Sequence, residues 1–270
     1  MRCHYLSDLH LESQEFRHKL PRGDVLIIAG DLCHASALDP ARSDPYRSKQ
    51  RERVMRFVDA AVAAFAHVIL VPGNHEHYDG VFEDTAALLR RYLDSITILD
   101  NETVDIGGVR FFGTTLWTDL SGRNEAASEP IRRGMGEYFF CKTHHRDETG
   151  NQTLGKLRPA HTLAAHDKAV EELRRIAVTT TGPLVIVTHH APSLQGLNPM
   201  HKGNGLDGAF ASDLEDLIEG LPGTPYWVHG HTHIRKRYRV GNTTLLANCR
   251  GFDGKDLSAR KFTPDCWFDL

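Results

Sequence analysis

Short apolar runs alternate with longer amphipathic segments along the chain, a pattern typical of an α/β fold. Strands that are buried on both faces read as continuous apolar runs. Five runs of this kind predict core strands at residues 3–6, 25–29, 68–71, 184–188 and 226–229. A hairpin is predicted at residues 104–112, where Gly107-Gly108 separates two apolar runs. Residues 237–240, 243–247 and 266–269 are predicted to be closing antiparallel strands.

Three segments carry apolar side chains at helical spacing, and they predict helices at residues 47–66, 81–93 and about 162–178. A fourth helix is predicted after Ser212, because Ser212 and Glu215 have the spacing of a capping box. No repeat, low-complexity tract or change in composition indicates a linker. We therefore expect a single domain over residues 1–270.

Residues 117–159 differ from the rest of the chain because they are polar and show weak periodicity. The segment is longer than the roughly 12–15 residues usual for an unstructured loop, and loops of that length are often functional. It contains two arginines and two histidines suited to phosphate binding, Arg132, Arg133, His144 and His145. We expect an insertion that covers the substrate, and a solvated surface loop is the alternative.

Composition excludes several classes of protein. The 32 Lys+Arg and 35 Asp+Glu give a net charge of −3, which lacks the basic excess of a general nucleic-acid or membrane-surface binder. The longest apolar stretch, residues 60–71, is shorter than the roughly 18 residues of a spanning helix. The 5 cysteines form no CxxC pair, and the first residues resemble a strand rather than a secretory leader. We expect reduced thiols and a cytoplasmic location.

The 17 histidines are the unusual feature of the composition, and many of them follow the predicted strands together with Asp and Asn. Because ligands bind at the carboxyl ends of strands in open α/β sheets, these side chains are expected to converge. The candidate metal ligands are Asp8, His10, Asp31, Asn74, His189, His231 and His233. Carboxylate, imidazole and amide donors suit Mn, Fe, Zn or Co.

Seven ligands are too many for one ion that keeps an open position, so we expect two ions sharing a carboxylate. The glycines Gly30, Gly73 and Gly230 lie beside the ligands and are expected to allow sharp turns there. For Glu76 there are two alternatives: it orients a metal ligand, or it has a structural role.

The ordered blocks Asp-x-His, Gly-Asp, Gly-Asn-His-Glu, His-His and Gly-His-Thr-His, from Asp8 to His233, resemble the calcineurin-like metallophosphoesterase superfamily. Residues 241–251 are similar to small stand-alone bacterial members. The resemblance implies an α/β fold with a central β-sandwich of two mixed sheets flanked by helices, in four layers. It also implies a metal-dependent phosphoric ester hydrolase.

The resemblance also implies roles for the individual residues. Asp8, His10, Asp31 and His233 would hold the first ion. Asp31, Asn74, His189 and His231 would hold the second, with Asp31 bridging. A water or hydroxide between the ions would attack phosphorus in line, and His75 would protonate the leaving oxygen or donate a hydrogen bond to it. A shift of one residue in the strand would exchange His189 for His190.

The chain departs from the Ser/Thr protein phosphatase branch, which has an Asp three residues after the bridging Asp to orient the catalytic histidine. Here that position is His34. A histidine there is similar to the phosphodiesterase and Mre11-type nuclease branches, so we expect a small phosphodiester substrate contacted by His34 and Asn74. A nuclease, a phosphomonoesterase and, more remotely, a non-catalytic scaffold are the alternatives. The charge balance argues against a nucleic-acid partner, and the complete ligand set argues against a scaffold.

Overall fold

The structure, a computed structural model, describes residues 1–146 and 148–270. Strands and helices alternate along it as the hydrophobic pattern predicts. The strands are β1 (Arg2–Leu6), β2 (Gly23–Ile28), β3 (Phe65–Leu70), β4 (Thr97–Ile98), β5 (Glu102–Ile106), β6 (Val109–Thr114), β7 (Lys142–Arg146), β8 (Gln152–Lys156), β9 (Leu184–Thr188), β10 (Tyr226–His229), β11 (Arg235–Val240), β12 (Thr243–Asn248) and β13 (Trp267–Asp269).

The α-helices are α1 (Pro45–Ala64), α2 (Thr85–Tyr92), α3 (Leu120–Arg123), α4 (Glu125–Gly134), α5 (Glu137–Phe140), α6 (Pro159–Thr179), α7 (Asp207–Phe210) and α8 (Glu215–Glu219). Short 3-10 turns lie at Ala35–Leu38, His75–His77, Phe82–Asp84, Leu194–Gly196 and Leu257–Arg260. Among the described residues, no helix combines the length and apolarity that crossing a bilayer requires.

Two large mixed sheets form the centre of the molecule. The first has the order β13-β1-β2-β3-β4, in which only β13 is antiparallel to its neighbour. The second has the order β11-β12-β10-β9-β6-β5, with a parallel middle and the antiparallel edge strands β11 and β5. The predicted central β-sandwich is confirmed.

Alternate side chains along each strand pack on opposite faces of the sheet, and this arrangement produces the layers of the fold. In β2, Val25 and Ile27 pack against the second sheet, whereas Leu26 and Ile28 pack against helix α1. Trp227 of β10 lies on the other outer face, in the apolar layer that includes α6. Each central strand is therefore buried on both faces, which is why its sequence shows an almost unbroken apolar run.

Helix boundaries follow local capping chemistry. Helix α1 begins two residues before its predicted start because Asp44 Oδ1 accepts a hydrogen bond from the Arg47 amide at 3.1 Å. The predicted capping box at Ser212 is wrong. Ser212 Oγ instead accepts a hydrogen bond from the Asp119 amide at 2.9 Å, and α8 begins at Glu215 without a side-chain cap.

Residues 117–159 form an ordered insertion, in which only Asp147 lies outside the described residues. It contains α3, α4, α5 and the antiparallel hairpin β7-β8. Its own apolar cluster includes Leu120, Ile131 and Tyr138, and it packs on Tyr78 of the main body. Helices α3 and α5 and strands β7 and β8 have only 4 or 5 residues each, too few for periodicity to reveal them. Helix α4 has 10 residues but contains Pro130, which argues against a helix in the sequence.

Candidate metal centre

The candidate ligands lie just beyond the carboxyl ends of β1, β2, β3, β9 and β10, where the two sheets meet. Several of them have left-handed backbone conformations, with φ of 54° at Asp8, 50° at His10, 56° at Asp31, 64° at His231 and 46° at His233. Asp and His adopt this region more readily than most residues, although it costs energy. The chain therefore reverses direction sharply at the ends of the strands and turns these side chains into one space.

Neighbouring glycines permit this crowding. A Cβ added at Gly30, whose φ is +86°, would lie 2.3 Å from His189 Nδ1. One added at Gly73 would lie 2.2 Å from Asp31 Oδ1. Gly73 and Gly230 do not have a positive φ, so their role is close approach rather than the expected sharp turn.

A first cluster brings together Asp8, His10, Asp31 and His233, whose donor atoms lie within 4.8 Å of one another. His233 Nε2 lies 3.1 Å from His10 Nε2 and 3.4 Å from Asp8 Oδ1. His10 Nε2 lies 3.8 Å from Asp31 Oδ2. Donors that share an ion at about 2.0–2.2 Å are about 3–3.6 Å apart, so this cluster fits a metal ion.

A second cluster brings together Asp31, His189 and His231. His189 Nε2 lies 3.1 Å from His231 Nδ1, 3.4 Å from Asp31 Oδ1 and 3.0 Å from Asn74 Oδ1. The two carboxylate oxygens of Asp31 thus face different clusters. Two imidazole nitrogens that face each other at this distance suit a shared cation, and the N and O donors fit the metals expected from the sequence.

The imidazoles of the first cluster are held from behind by carboxylates. His10 Nδ1 donates to Glu12 Oε1 at 2.9 Å, and His233 Nδ1 donates to Asp256 Oδ2 at 2.7 Å. Such bonds fix the tautomer and turn Nε2 toward the metal. Sequence reasoning missed both acids. Glu12 continues the two-residue spacing of Asp8 and His10, which is a usable signal, whereas Asp256 has none.

The second cluster is held by less charged partners. His189 Nδ1 donates to the Ala29 carbonyl at 2.8 Å. Asn74 Nδ2 donates to Tyr78 Oη at 3.1 Å and to Glu137 Oε2 at 3.4 Å, which leaves Asn74 Oδ1 facing the cluster. Burial raises the pKa of Glu137, which lies in the insertion. The insertion therefore contacts the centre through a residue that sequence reasoning did not identify.

Glu76 connects the loops that follow β2 and β3. Its carboxylate accepts hydrogen bonds from the amides of Gly73 at 2.6 Å, Leu32 at 2.6 Å and Asp31 at 3.0 Å. Burial is the largest influence on this group and raises its pKa to about 7 although these amides favour the charged form. Glu76 thus holds the backbone of Asp31 in place and is not a ligand.

His75 lies at the edge of the first cluster. Its amide donates to Asp31 Oδ1 at 2.9 Å, and its Nδ1 donates to Glu12 Oε1 at 2.9 Å. The ring stacks on Tyr78 with centroids 4.4 Å apart. Burial lowers the pKa of His75, but the carboxylates of Asp31 and Glu12 outweigh it and raise the pKa to about 9. These two carboxylates thus favour the protonated form of the imidazole.

His34, a candidate substrate contact, lies beside His75 and Tyr78, with ring centroids 6.0 Å and 5.6 Å away. Its Nδ1 is buried without a hydrogen-bond partner among the described residues, 3.8 Å from Asp79 Oδ2. His190 packs its ring against that of His231, with centroids 4.3 Å apart, but belongs to neither cluster. Its Nδ1 donates to the Thr115 carbonyl at 3.1 Å, so His189 is the histidine that enters the cluster.

The four candidate substrate contacts of the insertion lie elsewhere. Arg132 and Arg133 are exposed on α4, and both pair with Glu129 at 2.7 Å. His144 and His145 lie on β7. His144 Nε2 is 3.8 Å from Asp84 Oδ1, and the exposed His145 contacts Thr153 Oγ1 at 3.0 Å.

The chain is similar to several known proteins. A family model described as calcineurin-like phosphoesterase matches residues 1–235. An uncharacterized protein of Acanthamoeba polyphaga mimivirus is 22% identical over 98% of this chain and 95% of its own. A phosphopantetheinyl hydrolase of Mycobacterium tuberculosis superposes with a TM-score of 0.63 and 18% identity, over 97% of this chain and 93% of that chain. A dimetal phosphatase of Danio rerio gives a TM-score of 0.43 at 12% identity, over 92% and 86%.

Proposed function

Because this chain belongs to the calcineurin-like phosphoesterase family, and so is a phosphoester hydrolase, we propose that it is a dinuclear metal-dependent phosphodiesterase. Two clusters of donors that share Asp31 support two ions rather than one. Asp8, His10 and His233 would complete the first set of ligands. Asn74, His189 and His231 would complete the second. The nitrogen and oxygen donors support Mn, Fe, Zn or Co.

The chemistry divides between the ions and the protein. When bound, the ions would neutralise the phosphoryl oxygens and acidify a water molecule. His75 would supply the proton for the leaving oxygen. Its Nδ1–H is engaged by Glu12, so Nε2 is the nitrogen left to face substrate, and the stack on Tyr78 fixes the plane of the ring. The leaving oxygen would take the Nε2 proton as its bond to phosphorus breaks.

The group of aromatic rings beside His75 is the observation that favours a diester. The rings around His75 include His34, Tyr78 and Phe252, at centroid distances of 6.0, 4.4 and 6.2 Å. A monoester dianion is commonly bound by the fork of an arginine. A diester carries one negative charge and two organic substituents, which suits an aromatic wall. Lys255 Nζ, 5.6 Å from the centre of the Phe252 ring, would complement that single charge.

The partner we propose is therefore a small phosphate ester, contacted by His34 and Asn74, and not a nucleic acid. Arg132 and Arg133 are already paired with Glu129, so we assign them no direct contact with the reacting phosphate. A cytoplasmic location also remains a proposal. It is supported by the cysteines, all of which are free and buried.

The test compares Mn²⁺-loaded protein on bis(p-nitrophenyl) phosphate and p-nitrophenyl phosphate, which share a leaving group. We expect kcat/KM to be at least about 10-fold higher for the diester. A panel of cyclic nucleotides, dinucleotides, phospholipid-derived diesters and a phosphopantetheinyl ester then narrows the substrate. Metal-free protein is the control. A preference for the monoester would contradict the diester proposal.

A further inference from the structure

Glu12 is a buried carboxylate, 5% exposed, that lies between the first cluster and His75. One of its oxygens, Oε1, accepts hydrogen bonds from His10 Nδ1 and from His75 Nδ1, each at 2.9 Å. Its other oxygen has no hydrogen-bond partner among the described residues. A single carboxylate oxygen thus joins a candidate metal ligand to the candidate proton donor.

Both imidazoles are held so that only their Nδ1 edges meet Glu12. The His10 ring stacks on Phe252 with centroids 4.0 Å apart, and the His75 ring stacks on Tyr78 at 4.4 Å. Stacking fixes the plane of each ring, and the hydrogen bond to Glu12 fixes its rotation. The Nε2 of His10 consequently points at His233 in the first cluster.

This arrangement replaces the carboxylate that the sequence lacks. The position three residues after Asp31 is His34, so the loop after β2 provides no acid to orient His75. Glu12 comes instead from the loop after β1 and reaches Nδ1 of the same histidine. A carboxylate in this position selects the Nδ1–H tautomer and stabilises the imidazolium form.

We propose that Glu12 is a positioning residue that sets the tautomer of His10 and His75 together and so couples the first metal to protonation of the leaving group. The leaving-group part rests on the proposed function, whereas the tautomer part does not. When the phosphorus–oxygen bond breaks, the proton on His75 Nε2 moves to the departing oxygen and His75 becomes neutral. The Nδ1–H bond to Glu12 stays intact, and solvent restores the Nε2 proton.

Glu12→Gln tests the proposal, because it keeps the shape and an acceptor oxygen but removes the charge. The matched control is Glu15→Gln, which removes a partly exposed carboxylate paired with Arg53. Each protein is assayed on a nitrophenyl ester and on an alkyl ester of the same phosphate. We expect Glu12→Gln to lower kcat about 10²-fold on the alkyl ester and less than about 5-fold on the nitrophenyl ester.

The double variant with His75→Ala separates positioning from a general structural role. If Glu12 acts through His75, the double variant and His75→Ala alone should give the same ratio of kcat on the alkyl ester to kcat on the nitrophenyl ester. Independent, multiplicative losses on the alkyl ester would overturn the coupling. If the wild-type protein hydrolyses only monoesters, the same comparison is made with alkyl and nitrophenyl monoesters, so the coupling is tested even where the diester proposal fails.

Three measurements need no substrate. In Zn²⁺-loaded protein, ¹⁵N NMR should show His10 and His75 with a proton on Nδ1. His75 should lose this preference in Glu12→Ala, which removes both acceptor oxygens, but not in Glu15→Ala. First-ion affinity should fall about 10–100-fold in Glu12→Gln while the second ion is retained. Because His10, Glu12 and His75 could themselves hold a cation, metal is also counted. A third ion per chain that Glu12→Gln removes would overturn the proposal, as would an unchanged His75 tautomer in Glu12→Ala.

Discussion

The two halves of the metal centre are built from similar ligands but supported differently. In the first cluster, His10 and His233 donate to the carboxylates Glu12 and Asp256. In the second, His189 donates to a backbone carbonyl. Carboxylate partners make imidazole ligands more basic. The protein thus places more negative charge around one cluster than around the other, and the two clusters should differ in metal affinity and in preferred metal.

The strongest test of this comparison removes the residue that the two halves share. In Asp31→Asn one oxygen of the bridge becomes an amide, so we expect bound metal to fall to one ion or none. Activity should fall to the level of metal-free protein. Elemental analysis of purified protein measures the metal content. In Asp8→Asn, by contrast, only the first site should empty, and full occupancy of both sites in Asp31→Asn would rule out the bridge.

The variant His75→Ala tests whether the proton donor lies beside the first cluster. His75→Ala should reduce turnover of alkyl diesters about 10²–10⁴-fold and leave nitrophenyl diesters nearly unchanged, because a nitrophenolate needs little protonation. Both ions should remain bound. His145→Ala, an exposed histidine of β7, is the matched control. A uniform loss on both substrates would assign His75 to phosphate positioning instead.

Asp256→Asn sharpens the comparison between the two halves. The amide can still accept from His233 Nδ1 but without the charge, so first-site affinity should fall about 10–100-fold and second-site affinity should not change. Competition with a coloured chelator measures both constants. Asp253→Asn alters a neighbouring carboxylate that pairs with Arg250 and serves as the control. An equal loss of metal affinity at both sites would contradict the proposed difference between the two clusters.

The last test concerns the stability of the fold behind the second cluster, where the ring of His77 lies against Trp117. Burial lowers the pKa of His77 to about 4 from the usual 6.5. Below pH 6.5 the unfolded chain binds more protons at this residue than the folded one, so stability is lost as pH falls toward 4. The loss is up to about 3 kcal/mol.

His77→Phe should flatten this part of the pH dependence, because phenylalanine binds no proton. At pH 7 it should cost about 1 kcal/mol, since the Phe82 carbonyl loses its partner. Urea unfolding of metal-free protein at pH 7 and pH 4.5 measures both effects. Parallel pH profiles in the wild type and the variant would contradict the assignment.

Sequence reasoning located the centre because the ligands sit in short motifs at the ends of apolar strands. Asp31 and His189 are far apart along the chain, but strand ends of one α/β core converge. The residues that orient the ligands were not accessible in this way. Asp256 reaches His233 only through the fold of the C-terminal segment, and Glu137 reaches Asn74 through the insertion.

Local patterns also failed where a distant group took their partner. Ser212 matches a capping box, but its hydroxyl is engaged by the amide of Asp119, which is 93 positions away. The competing contact depends on three-dimensional placement, which does not follow from the hydrophobic period. The substrate contacts expected at Arg132 and Arg133 stay predictions.

The left-handed backbone at the ligands bears on how this protein would respond to selection for stability. A non-glycine residue in that region costs roughly 1–3 kcal/mol, and Asp8 and Asp31 also bring buried negative charge close together. Glycine at either position would relieve the strain, but it would also remove a carboxylate that is paired with buried histidines. Burial raises the pKa of each of these carboxyls, and the neighbouring histidines outweigh burial and hold the pKa below its usual range, so at neutral pH both charged carboxylates stabilise the fold. We therefore expect Asp8→Gly and Asp31→Gly to melt below the wild type when all three are stripped of metal, as calorimetry would show. A population evolving for thermal stability alone would then keep both acids, because here a strained backbone carries side chains that the folded protein needs even without metal.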